Sequence, residues 1–302
     1  SNSMSNTFIT PQLVARYALA SYQHNSVLPY LCSRTYVDEF GGGTGDTITI
    51  RKQAKLTASL FDRTAGVQAQ DVTEGSLTLT VGDLYDVSAI ITQEQWQYDI
   101  YDFGFEVAEP MGKAMALRAE KVVAEAIQGQ ATSVNANVPV DAAGKELDAI
   151  IEGRKVLTDA EVPMDNRVLA VGTGWTASLL KNENLIRADF AGDADALRNA
   201  RIGRLFNMDV YESSRLDSDK AFIMHRDAAT FVSIVPQVPR GVIDAAVQSY
   251  DGQAMRVVFQ YDSNKKQDLI SADAYLTSKL IRPEAVVQMT LPAAQVKAPA
   301  GK

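Results

Sequence analysis

The sequence predicts an α+β fold, because helical and strand periodicity occupy separate parts of the chain. Residues 105–128 carry apolar side chains at helical spacing, Ala108 and Met115 among them. Residues 48–50 and 77–81 instead alternate apolar and polar side chains with a period of two. No repeat of solenoid length is visible. One long helix, a paired set of strands and a mixed region are therefore expected.

The N-terminal region predicts a short helix followed by a joint. Residues 10–23 have helical spacing, with Thr10 as the cap and Pro11 at the first helical position. The apolar stripe is thin, so this helix is expected to dock against something larger. Residues 41–45 are Gly-Gly-Gly-Thr-Gly, and a P-loop would need Lys and Ser or Thr after the last glycine. Asp and Thr stand there instead, which favours a hinge over a phosphate site.

The next region predicts a long projecting hairpin. Two alternating runs, at 47–51 and 77–81, flank a polar stretch at 64–75, and a further β-prone run covers 84–91. An isolated hairpin is marginally stable in water, so such an arm is expected to rest on a partner.

The remainder predicts a long helix and then a mixed domain. The helix at 105–128 would be about 35 Å long, with Pro110 in its first turn or at a kink. Asp141 is expected to cap a second helix that ends near residue 158 and turns Ile150 and Ile151 inward. Residues 182–195 are expected to form a mobile loop, and residues from 292 onward a disordered tail. Further strands are predicted at 167–171, 208–211, 221–224, 232–235, 255–260 and 285–291, and further helices at 175–181, 226–231 and 268–280.

Composition narrows the function classes. The net charge is 29 − 37 = −8, and the sequence shows no stripe of basic residues. Both observations argue against a DNA-binding domain. No apolar stretch is long enough to span a membrane, and the native chain is expected to begin at Met4 without a secretory signal. Cys32 is the single cysteine, so an intrachain disulfide is excluded, and a buried apolar role is expected for it.

No motif in the sequence forms a convincing reactive site. The triplets at 225–227 (His-Arg-Asp) and 102–104 (Asp-Phe-Gly) resemble kinase motifs, but their order is reversed and Val232 stands where a kinase needs Asn. The only histidines are His24 and His225, and no Gly-x-Ser-x-Gly elbow accompanies them. The aspartates at 189, 193 and 195 lack the spacing of a calcium loop. We therefore expect no catalytic residue, no metal site and no cofactor.

The order of the parts resembles a known family. An N-terminal helical arm, a glycine joint, a long hairpin, a long helix, a mixed domain and closing strands resemble the Hong Kong 97-type fold of tailed-bacteriophage major capsid proteins. The stretches at 168–175, 206–213 and 268–287 are similar to recurring elements of that family, above all to the coat proteins of short-tailed phages. The resemblance covers residues 7–291.

The resemblance implies a structural subunit that is not an enzyme. It would form the hexamers and pentamers of an icosahedral shell around double-stranded DNA, with scaffolding and portal proteins as partners, no sequence-specific DNA contact and no membrane. It would reside in the virion after assembly in the host cytoplasm. The implied division is an N-terminal arm at 1–45, a hairpin arm at 46–93, the long helix and peripheral domain at 94–140, an axial domain at 141–250, a return to the peripheral domain at 251–292 and a tail at 293–302. Covalent linkage through Lys52 or Lys55 is not inferred.

Other classes stay open at this point. A bacterial nanocompartment shell resembles the same fold but encloses enzymes, and copurifying cargo would favour it. A soluble hydrolase with a dispersed active site would instead be a monomer with a deep polar pocket. A phage tail or neck component is a further structural alternative.

Overall fold

The computed structural model describes residues 10–36, 47–52, 54–72, 75–95, 104–129, 134–182, 201–241, 244–250 and 253–293. The α-helices are α1 (Pro11–Asn25), α2 (Glu109–Gln128), α3 (Glu146–Asp159) and α4 (Thr173–Leu180), with short 3-10 turns at Pro29–Leu31 and Pro283–Ala285 and a π-helical turn at Gly104–Ala108. The strands are β1 (Thr47–Lys52), β2 (Gly75–Thr80), β3 (Asp83–Thr92), β4 (Ala136–Pro139), β5 (Arg167–Val171), β6 (Arg201–Leu205), β7 (Met208–Glu212), β8 (Lys220–His225), β9 (Ala229–Ile234), β10 (Ala245–Tyr250), β11 (Gln253–Asp262), β12 (Gln267–Leu280) and β13 (Val286–Thr290).

The described strands form three sheets. β1 and β2 pair as an antiparallel ribbon. The five-stranded sheet has the order β10-β11-β12-β3, with β9 paired to the far half of β12. The six-stranded sheet has the order β4-β13-β8-β5-β7-β6, in which β4 runs parallel to β13 and β5 runs parallel to β7. Helix and sheet content in this chain order confirms the predicted α+β class.

Two helices cover one face of the five-stranded sheet. α1 packs on α2, β10 and β11, while α2 packs on β12. The helices approach so closely that a Cβ on Gly112 would lie 2.1 Å from the carbonyl oxygen of Ala18. α1 begins as predicted, with the Thr10 hydroxyl accepting a hydrogen bond from the Leu13 amide at 3.3 Å. Pro110 lies in the first turn of α2, where its missing N–H is not needed.

The six-stranded sheet forms the second layer. All five residues of β5 are buried, and the continuous apolar run at 168–171 predicts this for four of them. α3 packs on β13 and β8. The fit is close at Gly153, where an added Cβ would lie 2.9 Å from a methyl group of Ile223. Trp175, at the start of α4, is fully buried and donates its indole N–H to the Asp219 carbonyl at 2.8 Å.

The predicted helix at 268–280 is wrong, because this stretch is the fourteen-residue strand β12. Its buried apolar residues, which include Ile270, Ala272, Ala274 and Leu276, have the period of two that a strand requires. Alanine and leucine favour a helix by propensity alone. Pairing with β11, β3 and β9 overrides that preference.

Three smaller predictions are also wrong. Residues 226–231 form a turn and the start of β9, since Phe231 pairs with Ser278 of β12. Asp141 does not cap α3, which begins at Glu146 and has no side-chain cap. Ile151 is half exposed instead of inward, whereas the inward prediction for Ile150 is confirmed. The long helix itself is confirmed, although its α-helical part starts at Glu109.

Candidate assembly interface

The base of the hairpin is fixed to the rest of the subunit by a separate apolar cluster. β1 pairs with β2 from Thr47 opposite Thr80 to Lys52 opposite Gly75, which confirms the predicted hairpin. Ile50 of β1 and Leu79 of β2 pack with Val232 and Ile281. The Lys279 ammonium also donates to the Thr78 carbonyl at 2.7 Å. This cluster holds the base of the arm.

The tip of the arm exposes apolar side chains. We call residues 54–72 the arm tip. Leu60 is 99% exposed and Val67 is 83% exposed, and Leu56, Phe61 and Val72 are exposed as well. Isolated exposed apolar residues are ordinary, but five large ones on a single nineteen-residue projection indicate a surface that a partner covers.

The arm tip has little regular backbone pairing of its own. Residues 54–61 belong to no helix or strand, and the main-chain bridge found within the described tip joins Asp62 to Gly66 across a turn. The Gln70 side chain takes the place of a paired strand for the backbone of Thr57. Its oxygen accepts a hydrogen bond from the Thr57 amide at 2.9 Å, and its amide group donates one to the Thr57 carbonyl. The two sides of the tip are therefore joined through a side chain.

One exposed ion pair links the arm tip to the segment that follows α3 in the same chain. The Lys55 ammonium lies 2.6 Å from a carboxylate oxygen of Glu161, just beyond the end of α3. The hydrogen bond from Lys55 lowers the pKa of the Glu161 carboxyl. Both side chains are largely in solvent, so the pair adds little stability and permits the tip to move away.

A groove runs beside β3, at the edge of the five-stranded sheet. β3 pairs with β12, and no other described strand lies along its second edge. The groove has a volume of about 370 Å³ and lies between β3 and the start of α2. Its walls include Val87, Ala89, Ile91, Val107, Pro110 and Met111. Ile90 on the same strand is 58% exposed. Among the described residues, the edge and the groove together form a second exposed surface.

A buried carboxylate joins three parts of the subunit. Glu120 on α2 is 4% exposed. One of its oxygens accepts from the Val27 amide at 2.6 Å and the Leu28 amide at 3.2 Å, in the link after α1. The other accepts from the Ser213 hydroxyl at 2.9 Å, at the end of β7. Burial raises the pKa of Glu120, while these hydrogen bonds and the nearby Arg215 charge act against that rise.

His225, Arg226 and Cys32, which are residues of types found in reactive sites, make contacts that belong to the packing of the fold. His225 is buried, its Nδ1 accepts from the Asp227 amide at 3.2 Å, and burial lowers its pKa. The Arg226 guanidinium lies 4.9 Å from the centre of the Tyr30 ring. Cys32 is buried as predicted, and burial raises the pKa of its thiol to about 12.

Several predictions fall outside the described residues. These are the hinge at 41–45, the loop from 183 onward with its aspartates at 189, 193 and 195, Asp102, Phe103, the side chain of His24 and the tail from 294. Within the described ranges, no group of three or more His, Cys, Asp or Glu side chains is arranged to hold a metal. No described helix is both long enough and apolar enough to cross a membrane.

Solved structures identify the class of fold. The chain is similar to a structure described as Mycobacterium phage Che8, with 22% identity and a TM-score of 0.64 over 87% of this chain and 90% of that one. It is also similar to the capsid of cyanophage P-SCSP1u, with 13% identity and a TM-score of 0.61 over 82% and 84% of the two chains. The virus-like particle from Pyrococcus furiosus follows at 12% identity and a TM-score of 0.55, over 91% and 97%. The fold is the Hong Kong 97-type capsid fold.

The sequence itself identifies the family. The profile of the family described as phage capsid protein matches residues 85–288, which is more than half of the chain. The chain therefore belongs to the phage capsid protein family. It is a structural capsid subunit and a component of the virion. No curated protein matches the chain.

Two features, one at the arm tip and one in the interior of the subunit, were not predicted from the sequence. The polar stretch at 64–75 predicts the tip of the hairpin there, whereas the most exposed large apolar residue of the described chain, Leu60, lies before it. The alternation of Leu56, Ala58 and Leu60 was the available signal. Glu120 carried no signal, because a single glutamate on an amphipathic helix normally faces solvent.

Proposed function

We propose that this chain is the major capsid subunit of a tailed phage, forming the hexamers and pentamers of an icosahedral shell around double-stranded DNA. One observation carries the proposal beyond family membership, namely that the arm tip projects five exposed large apolar residues. A monomer gains nothing from such a projection. A shell subunit gains the area that the tip buries on its neighbour.

The physics of a closed shell supports this assignment. An arm that crosses to a neighbour buries more area than a flat edge, and closed symmetry repeats each weak contact many times. The arm at 46–93 would contact the adjacent subunit, the domain at 141–250 would lie toward the capsomer axis, and the segments at 94–140 and 251–292 would form the periphery. The acidic charge of −8 fits a wall that lets DNA slide past.

The wider assignments belong to the same proposal. The chain catalyses no reaction, assembles in the cytoplasm of the bacterial host, and works with scaffolding and portal proteins. It encloses DNA without reading its sequence. The positions of the N-terminal arm at 1–45 and of the tail at 293–302 are part of this proposal.

The alternatives are less well supported. The likeness to the Pyrococcus furiosus particle concerns the fold, which capsids and other shells of this architecture share. The family match is to phage capsid proteins, which favours a virion over a compartment for enzymes. The same match disfavours a soluble hydrolase and a tail or neck component.

The proposal is tested by deleting residues 64–75. The deletion removes most of the second side of the tip and leaves the base cluster of Ile50, Leu79, Val232 and Ile281 in place. We expect a folded subunit, judged by circular dichroism, that does not form stable shells when examined by electron microscopy and light scattering. Lys121→Ala is the control outside the arm, because it removes one exposed charge from α2 and should leave assembly intact. Normal shells from the deletion variant would refute the role of the arm.

A further inference from the structure

One of the terminal strands of the two larger sheets lacks the features that protect a sheet edge. The terminal strands are β10 and β3 in the five-stranded sheet, and β4 and β6 in the six-stranded sheet. β3 carries Asp83 and Asp86, β6 carries Arg201 and Arg204, and β4 has four residues and ends at Pro139. Charged side chains, proline and short length all hinder the pairing of one edge with another. β10 reads Ala-Ala-Val-Gln-Ser-Tyr, with no charged residue and no proline.

The second edge of β10 presents main-chain groups for pairing. β10 pairs with β11 along its whole length, and no other described strand lies beside it. The Phe259 amide donates to the Asp244 carbonyl at 2.9 Å, just before β10 begins. Main-chain groups alternate in direction along a strand, so every second residue after Asp244 bonds toward β11. The N–H and C=O groups of Ala245, Val247 and Ser249 therefore point away from β11, toward the open edge.

The middle of this edge also exposes an apolar side chain. Val247 is 38% exposed, whereas Ala246, which faces the other side of the sheet, is buried. A strand added at this edge would cover Val247 with a neighbouring side chain on the same face of the sheet.

The absence of charge favours a second copy of the same strand as the partner. Two identical strands that pair about a twofold axis bring like charges together wherever the edge is charged, so β3 and β6 would repel their own copies. β10 would not. With Val247 opposite its own copy, Ala245 lies opposite Ser249, and the outward groups form about six main-chain hydrogen bonds. Asp244 precedes the strand, and this antiparallel register keeps its two copies about 20 Å apart.

We propose that, in the assembled shell, β10 pairs antiparallel with β10 of a second copy of this chain, about a twofold axis at Val247. The five-stranded sheets of the two subunits then form one continuous sheet. Neighbours within a hexamer or pentamer are related by rotation about the ring axis, whereas this contact needs a twofold axis. The pairing therefore joins subunits of adjacent capsomers. This inference rests on the proposed function and goes further by naming a contact between capsomers.

The test uses Val247→Cys in the full chain, assembled into particles. The Cα atoms of a hydrogen-bonded antiparallel pair lie about 5.5 Å apart, within the range that a disulfide spans. Cys32, the single natural cysteine, is buried and should not react. We expect oxidation with diamide to give a covalent dimer on a denaturing, non-reducing gel, at more than about tenfold the level of the controls. A short bismaleimide, which tolerates more varied geometry than a disulfide, should give the same dimer.

Two controls fix the register and the edge. Ala245→Cys lies on the same strand, but in the proposed register its two copies are about 14 Å apart, so it should give little dimer with either reagent. Leu84→Cys is exposed on β3, at the opposite edge of the same sheet, and should also stay monomeric. Because Val247 and Leu84 are partly exposed in the single subunit, their substitution should leave folding and assembly unchanged.

The outcomes distinguish this inference from the proposed function. If particles form and Val247→Cys gives no more dimer than Leu84→Cys with both reagents, the inference is wrong, although the shell-forming function stands. As much dimer from Ala245→Cys as from Val247→Cys would also overturn the proposed pairing. A compact monomer without a projecting arm would refute the proposed function, and this inference with it.

Discussion

Replacing Glu120 with alanine should strongly destabilise the subunit without touching any exposed surface. The carboxylate is the acceptor for the amides of Val27 and Leu28, which are both buried. Alanine leaves these two N–H groups without their acceptor, and each unsatisfied buried donor costs about 1–3 kcal/mol. Removal of the buried charge offsets part of this loss.

The expected net loss is about 3 kcal/mol in the free energy of unfolding. That is a large share of the roughly 5–15 kcal/mol that a typical domain possesses. Urea denaturation of the unassembled subunit, followed by circular dichroism, measures it directly. The Ser213 hydroxyl also loses its partner, so the link between α2 and the end of β7 should loosen with the link after α1.

Two further variants separate acceptor geometry from charge. Glu120→Gln keeps an oxygen for both amides and offers an amide group to the Ser213 hydroxyl, so its loss should stay within about 1 kcal/mol. Glu125→Ala is the matched control on the same helix, because this residue is exposed and its contact with Lys121 at 3.8 Å is weak. A Glu120→Ala subunit as stable as the control, or a Gln variant as damaged as the Ala variant, would refute the reasoning.

The pKa of Glu120 adds a pH dependence with a definite sign. Burial raises this pKa in the folded state above its value in the unfolded chain. The folded subunit therefore takes up a proton at a higher pH than the unfolded chain does. Stability from this group rises as the pH falls through the folded pKa, and the rise is complete below the unfolded pKa. The stability of Glu120→Gln relative to the unmodified protein should consequently decline over the same range, as urea titrations at several pH values would show.

Three other substitutions test the packing of the subunit. Gly112→Ala forces a methyl group against the α1 backbone and should lower the free energy of unfolding by about 3 kcal/mol in urea denaturation. Asp273→Ala leaves the buried Arg256 guanidinium without its carboxylate and should lower it by about 3–5 kcal/mol, whereas replacing both residues with apolar ones should be far milder. Lys55→Ala should leave the free energy of unfolding nearly unchanged, while the pKa of Glu161, followed by NMR, returns toward its ordinary value. A pKa that does not move would place the cause of its depression elsewhere.

The elements with strong local signals were predictable from the sequence. The cap and proline at Thr10 and Pro11 define where α1 begins, and the apolar run at 168–171 defines a buried strand. The alternating runs of β1 and β2 predict their pairing. In each case the local preference and the tertiary environment agree.

Local patterns do not predict the structure where partners distant in the chain determine it. β12 pairs with strands that lie up to about 190 residues earlier, and this pairing overrides the helical propensity of its alanine and leucine residues. Glu120 is buried because Val27, Leu28 and Ser213 meet it in space, which no local pattern encodes. The groove beside β3 likewise depends on where the start of α2 packs.

The central claim is tested most directly by cryo-electron microscopy of the particles that the purified protein forms over a concentration series. The proposed function predicts closed shells with fivefold and sixfold capsomers in which the arm at 46–93 of each subunit lies on its neighbour. A compact monomer without a projecting arm, or shells in which each arm stays on its own subunit, would contradict it.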